Sequence, residues 1–293
     1  MRFLITGGRG QVGYCLTKQL SEHGSNTVLS LDKEELDITN QDAVNAIVQE
    51  FQPTIIINAA AHTAVDRAEE EVELSYAINR DGPKFLAEAA QEVGAAILHI
   101  STDYVFEGNK HGDYSENDLT NPQGIYGASK LAGEIEVVKS CEKHIILRTA
   151  WVFGEKGNNF VKTMLRLGVV RDELNIVGDQ FGGPTYAGDI AKVLIEIANR
   201  ISKDESVKYG VYHYSGLPHV SWYQFADAIF ESAVTQGVIT KKPNLTSITT
   251  EQYPTPAKRP SNSRMSTQKI TDAFDLKASD WKLALINIKA YTE

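Results

Sequence analysis

The sequence predicts an α/β protein built on a doubly wound parallel sheet. Three observations lead there. Short apolar runs alternate with helix-length amphipathic stretches over residues 1–150, the pattern that strand–helix–strand units leave in a chain. Some runs, Ile55-Ile56-Ile57 above all, are apolar without a break, as a strand covered by helices on both faces requires. A glycine-rich turn separates the first run from the first helix.

The first strand is Arg2-Phe-Leu-Ile-Thr6, ended by glycines. Gly7-Gly8-Arg9-Gly10-Gln11-Val12-Gly13 follows and opens a helix reaching toward Leu20. The glycines fit Gly7-x-x-Gly10-x-x-Gly13 or Gly8-x-Gly10-x-x-Gly13. Either spacing lets bare backbone approach a pyrophosphate at the helix N-terminus; the alternative is an ordinary tight turn. The second strand, residues 26–31, closes on Asp32. A carboxylate about 20 residues past the glycines can accept bonds from a ribose. Lys33 beside it could meet a 2′-phosphate instead. Leu36-Asp37-Ile38 is spaced to touch an adenine, or is a plain loop.

A helix over residues 42–51 leads to the strand Pro53-Thr-Ile-Ile-Ile-Asn58. The small residues of Asn58-Ala59-Ala60-Ala61-His62-Thr63 let a flat ring approach the backbone; His62 by itself reads as a structural histidine. Residues 65–93 read as helical, interrupted at Asp81-Gly82-Pro83. The next strand, residues 95–100, ends in Ser101-Thr102-Asp103-Tyr104-Val105-Phe106. Ligand sites in open α/β sheets lie beyond the carboxyl ends of strands. Thr102 is therefore placed to bond a carbonyl oxygen, or else caps the strand.

Tyr126 and Lys130 lie one turn apart on one face of the following helix. A phenol titrates near 10, and a neighbouring ammonium favours the phenolate and lowers that value. A phenol tuned in this way can trade a proton with a carbonyl or an alcohol at neutral pH. The spacing alone is weak. With 12 tyrosines in the chain about one chance match is expected, and Tyr14 with Lys18 is a second match. That pair follows the glycine turn and reads as packing and solvated surface.

A strand at residues 144–148 leads to Thr149-Ala150-Trp151-Val152-Phe153-Gly154, after which the pattern loosens. Helices are read over 160–167 and 187–201, a turn-rich loop over 180–185, and a strand over 211–214. Ser221 is an N-cap for a further helix. The segment from Tyr253 to Arg264 is a long loop carrying the cations Lys258, Arg259 and Arg264. It is either a rigid connection or a clamp near phosphates.

At 293 residues, 42% hydrophobic and 23% charged, the composition is that of an ordinary globular protein. A net charge of -9 argues against a general nucleic-acid binder, while a local basic pocket stays compatible with it. Cys15 and Cys141 are not at metal-ligand spacing with other Cys or His and fit a reduced, cytoplasmic setting. No apolar run is long enough for a membrane span, and neither a span nor a signal peptide is expected.

With Gly7, Gly10, Gly13, Thr102, Tyr126 and Lys130 in this order and spacing, the chain resembles the extended short-chain dehydrogenase/reductase family. Further blocks are similar to those of the dTDP-4-dehydrorhamnose reductases within it: Asn58–Asp66, Ser101–Phe106, Lys156-Gly-Asn-Asn-Phe160, Lys162-Thr-Met-Leu-Arg166 and Arg259-Pro-Ser-Asn-Ser-Arg264. The resemblance runs nearly end to end. It implies a Rossmann-type NAD(P)-binding domain over 1–150 and a smaller α/β substrate-binding part over 151–293, some of whose segments return to the first sheet. It implies NAD(P)H-dependent reduction of the C4 ketone of dTDP-4-dehydro-L-rhamnose, for cell-surface polysaccharide. NADPH is the expected donor, with NADH as the alternative.

The resemblance also assigns roles. Gly7, Gly10, Gln11, Val12 and Gly13 form the pyrophosphate turn. Asp37 and Ile38 match the adenine contact, and Ala61, His62 and Thr63 the wall beside the cofactor; Asp32 keeps its two readings, a ribose acceptor or a residue capping its turn. Tyr126 is the proton donor; Lys130 is its partner and holds the nicotinamide ribose. Thr102 stands where the wider superfamily has serine. Thr102, Asp103 and Trp151 contact the dTDP-sugar. Some members carry a glutamate shortly after the glycine turn that helps bind Mg²⁺ at a dimer interface. Cys15 stands there in this chain, and Mg²⁺ prefers oxygen. The expectation is no metal, and a monomer or weak homodimer.

Two other readings compete. Dehydratases of this type place an Asp-Glu pair after the threonine, whereas Asp103 and Tyr104 follow Thr102, so elimination lacks its base. Another nucleotide-sugar reductase or epimerase stays open. A non-catalytic regulatory subunit, the role of some relatives that partner methionine adenosyltransferase, has no chemical need for Thr102, Tyr126 and Lys130 together.

Overall fold

The computed structural model describes residues 1–22, 24, 26–203 and 206–292. Its main sheet is built from β1 (Arg2–Thr6), β2 (Thr27–Leu31), β3 (Ile55–Asn58), β4 (Ala96–Thr102), β5 (His144–Thr149) and β6 (Gly210–His213). The order is β6-β5-β4-β3-β1-β2, and every pair is parallel. The chain reverses its direction of travel across the sheet between β1 and β3. That is where a crevice opens at the carboxyl ends of the strands.

Strand alternation sorts the side chains to two faces. Phe3, Ile5, Ile57 and Leu98 pack on one face with Leu16 of α1 (Gln11–Ser21). Leu4, Ile56, Ile97 and Ile146 pack on the other with Val44 of α2 (Gln41–Phe51) and Leu86 of α3 (Gly82–Glu92). Both cores are apolar, so the strands between them read as unbroken apolar runs. Tyr126 and Lys130 sit on α4 (Ile125–Ser140), which also packs on this second face through Val137.

Helix formation over residues 65–92 differs from the sequence expectation. The breaks fall between Val65–Ala68 and Val72–Tyr76, not at Pro83. A π turn at Ala77–Asp81 runs straight into α3. Pro83 has no N–H to give to the turn before it, and that turn is a π turn rather than an α turn.

Beyond residue 150 the chain does two things. It completes the main sheet through β6 and lays a helix, α6 after α5 (Phe160–Val170), on the first core: Ile190 and Leu194 of α6 (Ala187–Ser202) meet Leu16. It also builds a third core from Phe153, Leu165, Trp281, and Phe225 and Phe230 of α7 (Trp222–Thr235). Ser221 caps α7 in a capping box with Gln224. Strands at Glu173–Val177 and Asn244–Ile248 form a parallel pair that the sequence reading did not foresee. Among the described residues no helix is long and apolar enough to cross a membrane.

Candidate active site

The glycine turn is shaped by close approach. Gly7 has φ +72°, and a Cβ on it would lie 2.7 Å from the Ala60 nitrogen at the end of β3. A Cβ on Gly13 would lie 2.1 Å from the Gly7 carbonyl oxygen. A side chain at Gly13 would push α1 off the end of β1, and one at Gly7 would push the turn off the end of β3. Gly10 is the N-cap of α1 and makes no side-chain bond, so the first N–H groups of that helix remain available to an anion. Val12 packs its side chain in the first core; only its backbone can serve a ligand. Gln11 Oε1 accepts from Asn159 Nδ2 at 3.0 Å. Asn159 in turn caps α5, so the turn is tied to the chain beyond residue 150.

Around the rim, Asp32 accepts from the Arg9 backbone N–H at 3.2 Å and from that of Lys33 at 2.8 Å. Arg9 itself, at the centre of the turn, is exposed beside Glu34 and Glu35. The sequence reading did not single it out, although it is the cation nearest the glycines in the chain. Asp37 accepts both the N–H and the hydroxyl of Thr39, which hold its carboxyl below the usual range. Ile38 is buried, and Gly82 leaves room for it: a Cβ there would meet Ile38 Cδ1 at 2.6 Å. Its side chain is therefore committed to the core and only its backbone edge faces outward.

The segment Ala61-His62-Thr63 is held by a residue with no distinguishing motif around it. Asn79, on the π turn, accepts from the His62 N–H at 2.8 Å and donates to the His62 carbonyl at 3.1 Å. It also donates to the Ser129 hydroxyl on α4 at 3.0 Å. His62 Nδ1 lies 2.9 Å from the Ser75 hydroxyl. His62 is thus a bonded, buried side chain, and Thr63 is the exposed member of the three.

Tyr126, Lys130 and Thr102 come together where α4 crosses the end of β4. The Tyr126 phenol is pushed up to about 12 by burial, with Asp103 adding to the shift and the Thr102 hydroxyl offsetting part of it. This differs from the expectation that Lys130 lowers it. The reason is geometric. Lys130 Nζ donates to the Ile100 carbonyl at 2.7 Å and is only 2% exposed, and burial brings it down to about 8. Tyr126 is consequently a phenol at neutral pH, the form a proton donor needs. Thr102 donates to Asp103 Oδ1 at 3.0 Å. Burial raises the Asp103 carboxyl to about 6.

Next to this cluster lies a cleft of about 510 Å³. Tyr104, whose ring meets that of Tyr126 edge-on at 5.3 Å, lines it together with Trp151 and Arg259. Trp151 has φ +50° and stacks on Trp222 at 3.5 Å. The 253–264 loop folds back over the cleft: Arg259 Nη2 bonds Asp66 at 2.6 Å, leaving Nη1 without a partner among the described residues. The loop lines the cleft through Tyr253, Thr255, Arg259, Pro260 and Ser263.

The chain matches the family model described as "RmlD substrate binding domain" over residues 1–292. It is 56% identical over 292 residues to a dTDP-4-dehydrorhamnose reductase of Aggregatibacter actinomycetemcomitans, covering 100% of this chain and 99% of the relative. The chain belongs to the dTDP-4-dehydrorhamnose reductase family. Solved structures agree. A dTDP-4-dehydrorhamnose reductase from Clostridium acetobutylicum superposes with a TM-score of 0.90 at 43% identity, over 99% of this chain and 98% of that one. Another, from Bacillus anthracis in complex with NADP, gives 0.89 at 40% identity over 98% of both chains.

In this member of the dTDP-4-dehydrorhamnose reductase family, Cys15 is 5% exposed on the core side of α1. Burial and the nearby Glu155 carboxylate push its thiol up to about 12. A protonated thiol is no metal ligand. Asn79 and Arg9 are the positions where the sequence carried a signal too thin to read, one a polar residue inside a helical run, the other a cation among glycines.

Proposed function

We propose that this chain catalyses reduction of the C4 ketone of dTDP-4-dehydro-L-rhamnose to dTDP-L-rhamnose, with NADPH ahead of NADH as donor. The chain is an oxidoreductase by family, and the observation that carries its chemistry is the neutral Tyr126 phenol beside Thr102 at the end of β4. The residues present fit a nicotinamide dinucleotide: Gly7 and Gly13 let the turn pack tightly against the ends of β1 and β3, and the first N–H groups of α1 are left without a capping side chain. Bound there, the dinucleotide supplies the hydride. Gly10, Gln11 and Val12 would hold its pyrophosphate, Asp32 and Lys33 its adenine ribose, Asp37 and Ile38 its adenine, and Ala61, His62 and Thr63 its wall.

Thr102 orients the ketone oxygen and Tyr126 gives it a proton. Lys130 does not lower the Tyr126 phenol; in its ammonium form it would hold the nicotinamide ribose, so the buried phenol carries the proton and the buried amine places the cofactor. Trp151 and Asp103 would contact the sugar nucleotide, and Arg259, which lines the cleft, would meet an anionic oxygen of its diphosphate. We further infer a cytoplasmic protein acting as a monomer or weak homodimer.

The test is oxidation of NADPH or NADH in the presence of dTDP-4-dehydro-L-rhamnose, with the product identified as dTDP-L-rhamnose. Consumption of neither cofactor would sink the proposal. Turnover of other nucleotide sugars at equal rate would reassign the substrate while keeping the chemistry.

A further inference from the structure

Lys130 faces a side chain that the reaction does not obviously need. Its Nζ lies 3.4 Å from Nε2 of His99, which is fully buried on β4. What lies behind His99 fixes its tautomer. The Ala60 N–H, which can only donate, bonds Asn58 Oδ1 at 3.1 Å, and the Thr6 hydroxyl bonds the same oxygen at 2.7 Å. The Asn58 amide is thereby oriented with Nδ2 toward His99 Nδ1, at 3.0 Å. An amide nitrogen donates, so Nδ1 must accept, and a neutral imidazole then carries its proton on Nε2. Burial keeps that imidazole neutral, well below the usual histidine range.

The Nε2–H therefore points at Lys130 Nζ. An ammonium has three N–H groups and no lone pair, so two donors would confront each other. A neutral amine accepts from Nε2–H while still donating to the Ile100 carbonyl. We propose that Asn58 and His99 are positioning residues that set the charge state of Lys130, by locking the one imidazole tautomer that favours the neutral amine.

The other charged groups around Lys130 do not reproduce this. Glu134, one turn further along α4, favours the ammonium but is itself paired with Arg148 of β5 at 2.6 Å. Arg80 and Asp81 on the neighbouring π turn pair with each other. Tyr126 is one turn back on α4, with Asp103 beyond it. The kinetic consequence rests on the reductase reading: activity needs the ammonium and falls as pH rises through the Lys130 value of about 8. The tautomer does not rest on that reading.

Two measurements test the proposal. The first is ¹⁵N NMR of the labelled wild-type protein, which needs no turnover. His99 should show Nε2 protonated and Nδ1 bare from pH 6 to 9, and Lys130 Nζ should titrate far below an ordinary lysine. A protonated Nδ1, or an ordinary lysine titration, overturns it. The second uses Asn58→Asp. A carboxylate behind Nδ1 draws the proton there and leaves Nε2 as an acceptor for the ammonium. The alkaline midpoint of kcat/KM should then move up by about one pH unit. A folded Asn58→Asp protein with the switched tautomer and an unmoved midpoint overturns the link to Lys130. If the wild type turns over no nucleotide sugar, the function fails while the NMR result still decides the tautomer.

Discussion

Two helices of this protein carry a tyrosine with a lysine one turn further on, and the two pairs sit in opposite surroundings. On α1, Tyr14 is half-buried with the Lys156 ammonium over its ring at 5.3 Å, and Lys18 is exposed in the last turn. On α4, Lys130 is buried against β4 and reaches the Ile100 carbonyl. The difference comes from how closely each helix approaches its surroundings at that point. A Cβ on Gly127 would lie 2.1 Å from the Tyr104 carbonyl, and one on Gly133 2.0 Å from that of Asn79. Those glycines let α4 sink far enough to desolvate its lysine. Spacing offers a pair; burial decides its ionisation.

The comparison is broken most directly at the phenols. Tyr126→Phe should lower kcat by about 10²–10⁴-fold with the fold and cofactor binding intact, the usual loss on removing a general acid. Tyr14→Phe should leave kcat within about twofold, as a surface change does. Steady-state NADPH oxidation with both variants checks this, and the reverse ranking would move the site to α1.

The lysines separate the pairs by stability. A buried lysine near 8 in the folded protein against 10.5 unfolded binds fewer protons folded than unfolded between those values. Stability therefore rises with pH across that window, and the cost is fully present below about 8. At 1.36 kcal/mol per pH unit that cost is roughly 3 kcal/mol. Lys130→Met should abolish activity yet raise the melting temperature at pH 7, by several degrees, with the gain fading toward pH 11. Lys18→Met should shift it little at any pH. A Lys130→Met protein that melts lower than wild type at pH 7 would show that packing, not desolvation, dominates there.

The same contrast explains what could be read from the sequence. The sheet was legible because Phe3, Ile56 and Leu98 belong to strands buried on both faces, whose apolar runs are local. The glycine turn was legible because Gly7, Gly10 and Gly13 sit at fixed spacing directly after β1. Thr102, Tyr126 and Lys130 could be listed, but not the sign of the Tyr126 shift. Spacing shows the lysine along the helix and hides the sheet that desolvates both groups. His99 passed as one more residue in a buried strand, and Asn79 as one more in a helix. Their partners are far away in sequence: Asn58 bonds His99 across β3 and β4, and Ser129 bonds Asn79 from α4. The strand pair at 173–177 and 244–248 is largely solvent-facing, so it lacked the apolar signature of the main sheet.

A smaller effect is expected at the rim of the glycine turn, where charges are exposed as Lys18 is. Lys33→Ala should raise KM for NADPH more than for NADH, and Arg9→Ala should act in the same direction. Exposed pairs contribute at most about 1 kcal/mol, so each preference should change by no more than about fivefold. Equal effects on both cofactors would show that neither cation reaches the 2′ position.

The smallest effect should come from removing metal. In relatives with a glutamate after the glycine turn, α1 would present an oxygen ligand; here it presents Cys15, one residue past Tyr14. That thiol is buried and pushed up to about 12, so it stays protonated where the enzyme works, and a thiol would suit Mg²⁺ poorly even if ionised. On the proposed reading, Tyr126, the α1 N-terminus and Arg259 would supply the proton and the diphosphate contacts without a metal ion. EDTA should therefore leave both turnover and sedimentation unchanged. A dimer that dissociates in EDTA, loses activity and regains both with Mg²⁺ would mean that carboxylates elsewhere hold the metal without position 15. It would also make the Tyr14 face of α1 part of an interface, and the two tyrosine–lysine pairs would then differ by which partner buries them rather than by whether they are buried.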